Sequence, residues 1–403
     1  MGPCRLTRIE GMNPIPDIAQ PSFQLLDDCF RTAMTEALDP DAAAQDLARQ
    51  LLHPHLGCVL FFCSAEYPLE RLATALEQHF GGVMLLGCTT AGEISAQGYG
   101  RGCISALGLD LRTFAVDCTL IQALDSFSLV EAQQAVERML GYCRQVNLAP
   151  IKEHTFALTM LDGLSSREEL VLNTLSAALG SIPHFGGSAG DDNHLSHTHV
   201  YYQGRFLTGA AVVVMINTWL DFEVFTTHHL KPTDSKLVVT AADSASRTVL
   251  ELNAEPAAEE YARLVGVPLD ALRAEHFALN ALAVRIRDQF YVRSIQRVNA
   301  DRSLAFYCAV DTGIVLTAMT PGELLPNLRL QFEQLRQRLG EPVLILGCDC
   351  FLRRMEAELR GEDQRMSDFL AANRVIGFNT YGEQFNGMHI NQTFTGVAFA
   401  FPR

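Results

Sequence analysis

One turn recurs three times along this chain, and the recurrence constrains the fold more than any single motif. The copies read Gly87-Cys-Thr-Thr-Ala-Gly-Glu93, Gly186-Gly-Ser-Ala-Gly-Asp-Asp192 and Gly377-Phe-Asn-Thr-Tyr-Gly-Glu383. Each is followed by an apolar run: Cys103 to Leu109, Thr208 to Ile216 and Thr393 to Phe401. Each is preceded by another run and then a helical pattern. Cys58 to Cys63 leads to a stripe of Leu69, Leu72, Leu76 and Phe80. Phe156 to Leu161 leads to a capping box, Ser166 with Glu169, and to Leu172, Leu175 and Leu179. Val343 to Gly347 leads to Met355, Leu359, Met366 and Phe369. The unit reads strand, helix, strand-into-turn, loop, strand. Its uneven spacing excludes a solenoid, and its short apolar runs suit strands covered on both faces. The expected fold is a mixed α/β one, with β-sheets flanked by helices and internally duplicated strand-helix-strand-strand units in two domains.

The rest of the chain is placed around these units. Residues 1–20 lack periodicity and read as a loose arm. Residues 21–52 read as two helices separated near Pro40, with Leu25, Cys29 and Phe30 in the first and Leu47, Leu51 and Leu52 in the second. A second capping box, Ser128 with Glu131, opens a helix carrying Val136, Leu140 and Cys143. Gln203-Gly204, inside an alternating stretch, signals a hairpin. The polar turn Lys231-Pro-Thr-Asp234 marks a domain boundary. Thr320-Pro321-Gly322-Glu323 signals a helix start with an N-cap and an early proline. That helix would bury Leu328, Phe332, Leu335 and Leu339. The expected division is an arm and helix at 1–34, one domain at 35–233 and another at 234–403.

Composition narrows the function. A formal net charge of −15 without a basic run argues against nucleic acid and against an anionic membrane surface. Residues 1–20 carry no apolar core of a signal peptide, and no apolar run approaches the length needed to span a bilayer. A cytoplasmic location is expected. Several of the 11 cysteines, an odd number, lie inside apolar runs and read as buried free thiols of a reducing compartment.

No G-x-S-x-G, P-loop, HExxH or dinucleotide fingerprint occurs, so an enzyme is not expected. Gly186 to Gly190 could cradle an anion, but the same turn used three times reads first as architecture. His194, His197 and His199 fall in a hairpin region where a metal site competes with a solvated loop. His184 precedes the second turn, and His228 and His229 end a strand. His389, unique to the third copy, follows Gly387-Met388. Glycine permits close backbone approach, and a neutral imidazole is a standard axial ligand of haem iron. The competing reading is a loop histidine bonded to a nearby carbonyl. Cys348 and Cys350 form a C-x-C before Arg353-Arg354. Those arginines would favour a thiolate and hence a thiol or metal switch; the alternative is a plain buried pair.

The runs GVMLLGCTTAGEI and RGCISALGL, with HFGGSAGDD and NTYGEQFNGMHINQTFTGVAF, resemble the FIST family of bacterial sensory proteins. The likeness covers about residues 35 to 400, as a FIST N-terminal and a FIST C-terminal domain. The closing segment looks most like the nitric-oxide-sensing haemoproteins called NosP. In many FIST proteins a histidine directly precedes the asparagine of the last motif. Here Ile390 holds that place and His389 lies one step back, which on a strand reverses the side-chain direction. The resemblance implies a haem b protein that takes up nitric oxide and adjusts a separate partner, a histidine kinase or a cyclic-di-GMP enzyme. On it, His389 is the expected axial ligand, with His184, His228 and His229 as alternatives. A homo-oligomer is compatible with it. Two rivals stay open: a FIST module binding an amino-acid-like metabolite between its domains, and a switch at Cys348 and Cys350.

Overall fold

The structure, a computed structural model, describes residues 29–403 except Asn193. It resolves the sequence pattern into three copies of one larger unit. The first comprises β1 (Phe30–Thr35), α1 (Pro40–Leu51), β2 (Leu56–Ser64), α2 (Leu69–His79), β3 (Met84–Thr90), the hairpin β4 (Glu93–Ser95) and β5 (Gly98–Gly100), and β6 (Ile104–Asp110). The second comprises β7 (Phe114–Ile121), α3 (Leu129–Val146), β8 (Thr155–Leu161), α4 (Glu168–Leu179), β9 (His184–Ser188), the hairpin β10 (Val200–Tyr202) and β11 (Arg205–Leu207), and β12 (Ala211–Thr218).

The third opens with β13 (Asp221–Thr227) and is then interrupted. A β-rich insert follows: β14 (Lys231–Asp243), β15 (Thr248–Leu252), β16 (Glu255–Pro256), α5 (Ala257–Val265), α6 (Ala274–Leu279), β17 (Leu282–Ile286), β18 (Gln289–Arg293), β19 (Ile295–Val298), β20 (Leu304–Phe306) and β21 (Val315–Thr320). The repeat then resumes with α7 (Leu324–Leu339), β22 (Leu344–Cys350), α8 (Phe351–Leu359), α9 (Asp363–Ala372), β23 (Val375–Thr380), the hairpin β24 (Glu383–Phe385) and β25 (Met388–Ile390), and β26 (Phe394–Ala400).

Each repeat builds a six-stranded sheet, and the three strand orders are the same: β1-β6-β2-β3-β10-β11, β7-β12-β8-β9-β24-β25 and β13-β26-β22-β23-β4-β5. The last two strands of every sheet come from a different repeat. The first repeat's hairpin pairs with β23, the second's with β3 and the third's with β9. The hairpins are thus exchanged in a closed cycle. The turns before them follow the same cycle: Ala91 N–H donates to Asn379 O, Gly190 N–H to Thr89 O and Tyr381 N–H to Ser188 O. A Cβ on Gly190 would come within 2.5 Å of the Ala91 nitrogen, so this contact needs glycine.

Alternation along each strand divides its side chains between two cores. Cys58, Leu60 and Phe62 face inward to meet Phe156, Leu158 and Met160 from the second sheet and Leu344, Leu346 and Cys348 from the third. Phe62 stacks on Phe378 at 4.5 Å between ring centres. The outward residues Val59, Phe61 and Cys63 pack under α1 and α2. The second and third sheets are covered likewise by their own helices. Strands buried on both faces are what the continuous apolar runs require.

The insert carries a fourth sheet of eight strands and its own core around Leu237, Val239, Tyr261, Leu304 and Leu316. The protein is therefore a mixed α/β fold in two domains, a three-repeat scaffold and the insert. The boundary expected at 233 falls where the chain enters the insert. From α7 onward the chain returns to the scaffold, and β13, ahead of the boundary, already belongs to the third sheet.

Other expectations shift too. Phe30 begins a strand rather than lying in a helix, because it pairs antiparallel with Leu109. Pro40 starts α1 behind an Asp39 N-cap. The arm at 1–20, and Leu25 with it, lie outside the described residues. The capping box of Ser128 and Glu131 forms, and so does the Gln203-Gly204 hairpin. The Thr320 signal is displaced: α7 begins at Leu324 behind Glu323, with no side-chain cap.

Candidate functional site

Two of the three repeated turns end in a glutamate that turns inward. The Glu93 carboxylate accepts from the Thr90 hydroxyl at 2.5 Å and from the Cys103 N–H at 3.3 Å. Glu383 repeats this, accepting from the Thr380 hydroxyl and from the Thr393 N–H at 3.0 Å. Burial pushes both carboxyls up to about 7, against the hydrogen bonds they accept. In the middle copy Asp191 accepts from the backbone of Leu195, Ser196 and His197 and from the Tyr381 hydroxyl. Its burial acts upward, but these bonds hold it below the usual range. The turn is architecture. Gly186 and Gly187 lie in β9 and pair with β8 and β24, a ladder position rather than an anion cradle.

The third repeat's hairpin carries His389 in β25, laid beside the second repeat's sheet. The turn pairs Gln97-Gly98, Gln203-Gly204 and Asn386-Gly387 align the three hairpins, and the positions matching His389 are Gly100 and Phe206. The histidine is therefore private to one repeat. Its side chain is only 1% exposed, and Glu168 and Glu169 face its two nitrogens. Nδ1 lies 3.2 Å from Glu169 Oε1, and Nε2 lies 3.5 Å from Glu168 Oε1. The ring packs on a bare backbone: a Cβ on Gly382 would stand 2.0 Å from Nε2.

The insert completes the centre. Arg247, in the turn between β14 and β15, donates to Glu168 Oε2 at 2.7 Å and to Glu169 Oε2 at 2.5 Å. It holds this reach from a φ of +54°, unusual for a residue with a side chain. The Ala309 N–H donates to Glu169 Oε1 at 2.7 Å, and Cys308 Sγ lies 3.0 Å from Asn391 Oδ1. Among the described residues, Glu169, Cys308 and His389 form the one group of three donors within 4.8 Å of one another.

The charged groups of the centre shift one another. Burial alone would lower the His389 pKa, but the charges of Cys308 and Glu168, with hydrogen bonds to Cys308 and Glu169, raise it well above its usual value. Burial would raise Glu169, yet the hydrogen bond and charge of His389 and the charge of Arg247 hold it well below its usual range. Glu168, deeper still, is raised by burial against the pull of His389 and Arg247. Glu168 and Glu169 thus both face the Arg247 guanidinium and the His389 ring. The Ser166–Glu169 capping box does not form: Arg167 precedes α4 without a side-chain cap, and the Glu169 carboxylate is engaged by His389, Arg247 and Ala309.

The other candidates lie elsewhere. His229 is fully buried in the third repeat, with Nδ1 3.0 Å from Arg353 Nη1 and Nε2 2.8 Å from Glu356 Oε2. Burial pushes it down to about 4, so it is neutral with both nitrogens engaged. His184 opens β9 with Nδ1 3.0 Å from the Ile182 carbonyl, and burial lowers it. His228 is lowered by burial too. His194 meets exposed Glu66 instead of joining His197 and His199. Cys348 and Cys350 are 1% and 0% exposed, and burial pushes both thiols well up. The arginines expected to activate them are turned elsewhere: Arg353 bonds Asp349 and His229, and Arg354 bonds Gly100 O and Glu358. The positive charge that would stabilise a thiolate here is already matched.

Sequence reasoning singled out His389 and not the residues around it. Glu169 was legible only as a helix-capping acid and Cys308 only as part of an apolar run. Nothing local marked Arg247. The acidic pair Glu168-Glu169 at a helix start was the one signal that could have pointed here.

A FIST N domain matches residues 57–255 and a FIST C domain matches residues 257–386. His389 lies just beyond the second match. An uncharacterized protein of Methanocaldococcus jannaschii is 21% identical over 373 residues, covering 82% of this chain and 70% of the relative. Together the two domains account for most of the chain, and the protein belongs to the FIST family, whose domains point to a sensory role in signal transduction.

Proposed function

We propose that this protein is a sensor whose responsive element is the centre around His389, and that it acts through a separate signalling protein. One observation carries the reading: the centre joins charged groups from three parts of the chain that lie far apart in the sequence. Glu168 and Glu169 come from the second repeat, His389 from the third repeat's hairpin, and Arg247, Cys308 and Ala309 from the insert. Arg247 Nε, Ser294 Oγ, Gln384 Oε1 and His389 Nε2 are buried there without hydrogen-bond partners. Buried polar atoms of that kind mark a place where a small ligand gains more than it costs. A ligand that withdraws His389 or Arg247 leaves buried charge unmatched and loosens the insert from the scaffold. A surface changed in that way is what a kinase or a cyclic-di-GMP enzyme would read. Limited proteolysis mapped by mass spectrometry tests the coupling. His389→Ala should speed cleavage at the two connections, residues 231–234 and 320–323; an unchanged cleavage map would remove the coupling.

Haem b and nitric oxide form the second reading, supported by the closing segment's likeness and by the privacy of His389 to one repeat. Haem does not fit the centre as folded. Both ring nitrogens face carboxylates, which favour the protonated ring, and backbone lies against Nε2. A neutral nitrogen with a free approach is the minimum for an axial bond. The reading therefore requires His389 to leave both glutamates. Haemin titration followed at the Soret band, with His389→Ala in parallel, tests it. Equal spectra in the two proteins would end it.

A further inference from the structure

Three donors of different chemistry converge at the centre: a carboxylate oxygen of Glu169, the Cys308 sulfur and an imidazole nitrogen of His389, all within 4.8 Å of one another. A tetrahedral ion with metal–donor distances of about 2.0–2.3 Å sets its ligands roughly 3.3–3.6 Å apart. The Nδ1 to Oε1 separation, 3.2 Å, is already of that order. We propose that this centre binds one divalent transition-metal ion of the zinc class through Glu169, Cys308 and His389. The inference rests on the sensor reading for its location and adds the ligand's identity.

The surroundings favour such an ion over an organic ligand. Cys308 and His389 are buried and Glu169 is half-buried, and the carboxylate comes from the scaffold, the sulfur from the insert and the imidazole from the exchanged hairpin. With Nδ1 toward the ion, Nε2 faces Glu168 at 3.5 Å, the carboxylate-behind-histidine arrangement that orients metal-bound imidazoles. Arg247 holds the far oxygens of Glu168 and Glu169. A sulfur, a nitrogen and an oxygen suit zinc or cobalt better than the all-oxygen preference of magnesium and calcium. Three protein ligands leave a fourth position open. An exogenous donor can enter there, which gives a sensor a place to receive its signal.

The probe is cobalt(II), added to chelator-treated full-length protein and followed by absorbance. The expected result is one equivalent bound, with a near-ultraviolet thiolate-to-cobalt charge-transfer band. Cys308→Ser should abolish the band and weaken binding at least tenfold, and Glu169→Gln should weaken binding with the band retained. Cys348→Ser should change neither. Circular dichroism checks that each variant is folded. A wild-type protein that binds no cobalt, or a band that survives Cys308→Ser, overturns the proposal. The wild-type titration decides it even if a variant fails to fold. Such failure leaves the proteolysis test untouched, because that test uses no metal.

Discussion

Replacing Arg247 by methionine removes a charge but keeps an apolar stem of similar reach. In the wild-type centre its guanidinium meets Glu168 at 2.7 Å and Glu169 at 2.5 Å, and it is 7% exposed. Glu168 and Glu169 would then lose their shared guanidinium and keep only His389 as a basic neighbour among the described residues. Removing one partner of a buried ion pair costs about 3–5 kcal/mol, because the remaining charge stays out of water. With a urea m-value of roughly 3 kcal/mol/M, the midpoint should fall by about 1–2 M. Far-ultraviolet circular dichroism against urea measures it. Glu168→Gln in the Arg247→Met background should restore part of the loss, since one unmatched carboxylate has been removed. The coupling from the double-mutant cycle should reach about 1–3 kcal/mol. If Arg247→Met loses less than about 1 kcal/mol, or the cycle shows no coupling, the centre is not the charge-matched junction described above.

Gly382→Ala should displace the His389 ring, since the new methyl would stand 2.0 Å from Nε2, and should cost about 1–3 kcal/mol in urea unfolding. Glu383 is raised from 4.5 to about 7 in the folded state, so the folded protein binds more protons than the unfolded chain across that interval. Stability should therefore fall as pH rises from about 4.5 to 7, by about 3 kcal/mol for this carboxyl, and level off above. Glu383→Gln should flatten that part of the pH–stability curve, and an unchanged slope would show the carboxyl is not buried in the way described. Cys348 and Cys350 should resist alkylation in the native protein and react only in denaturant, as peptide mapping would show.

Much of the fold was legible because the physics is local. Both-face burial writes itself as runs such as Cys58 to Cys63, and the recurring Gly-Glu or Gly-Asp turn announced three copies. What was not legible is long-range. No local pattern tells that the hairpin after Glu93 pairs with β23, or that the one after Glu383 pairs with β9. Each hairpin has the same turn chemistry whichever sheet it joins, so the exchange is decided by packing of the three turns about one another. The opening strand of the first repeat was harder still. Phe30 to Thr35 is short and partly exposed, and its pairing with β6 outweighs a helical pattern drawn from a few apolar residues. At the site, the isolation of His389 was visible and its charge was not. An imidazole expected to be neutral has its pKa raised by groups that include a carboxylate 220 residues away in sequence. Arg247 lies in a turn whose composition is ordinary, and only the insert's docking gives it a role.

Hydrogen exchange at the Ala309 amide measures the junction most directly, because that N–H donates from the insert to the same Glu169 oxygen that faces His389. Comparing wild type with His389→Ala by mass spectrometry should show faster exchange in residues 303–310 and 244–252 as well as in 383–390, with residues 91–100 unchanged. Acceleration confined to 383–390 would mean that the histidine holds only its own hairpin, and that the insert is docked by other means.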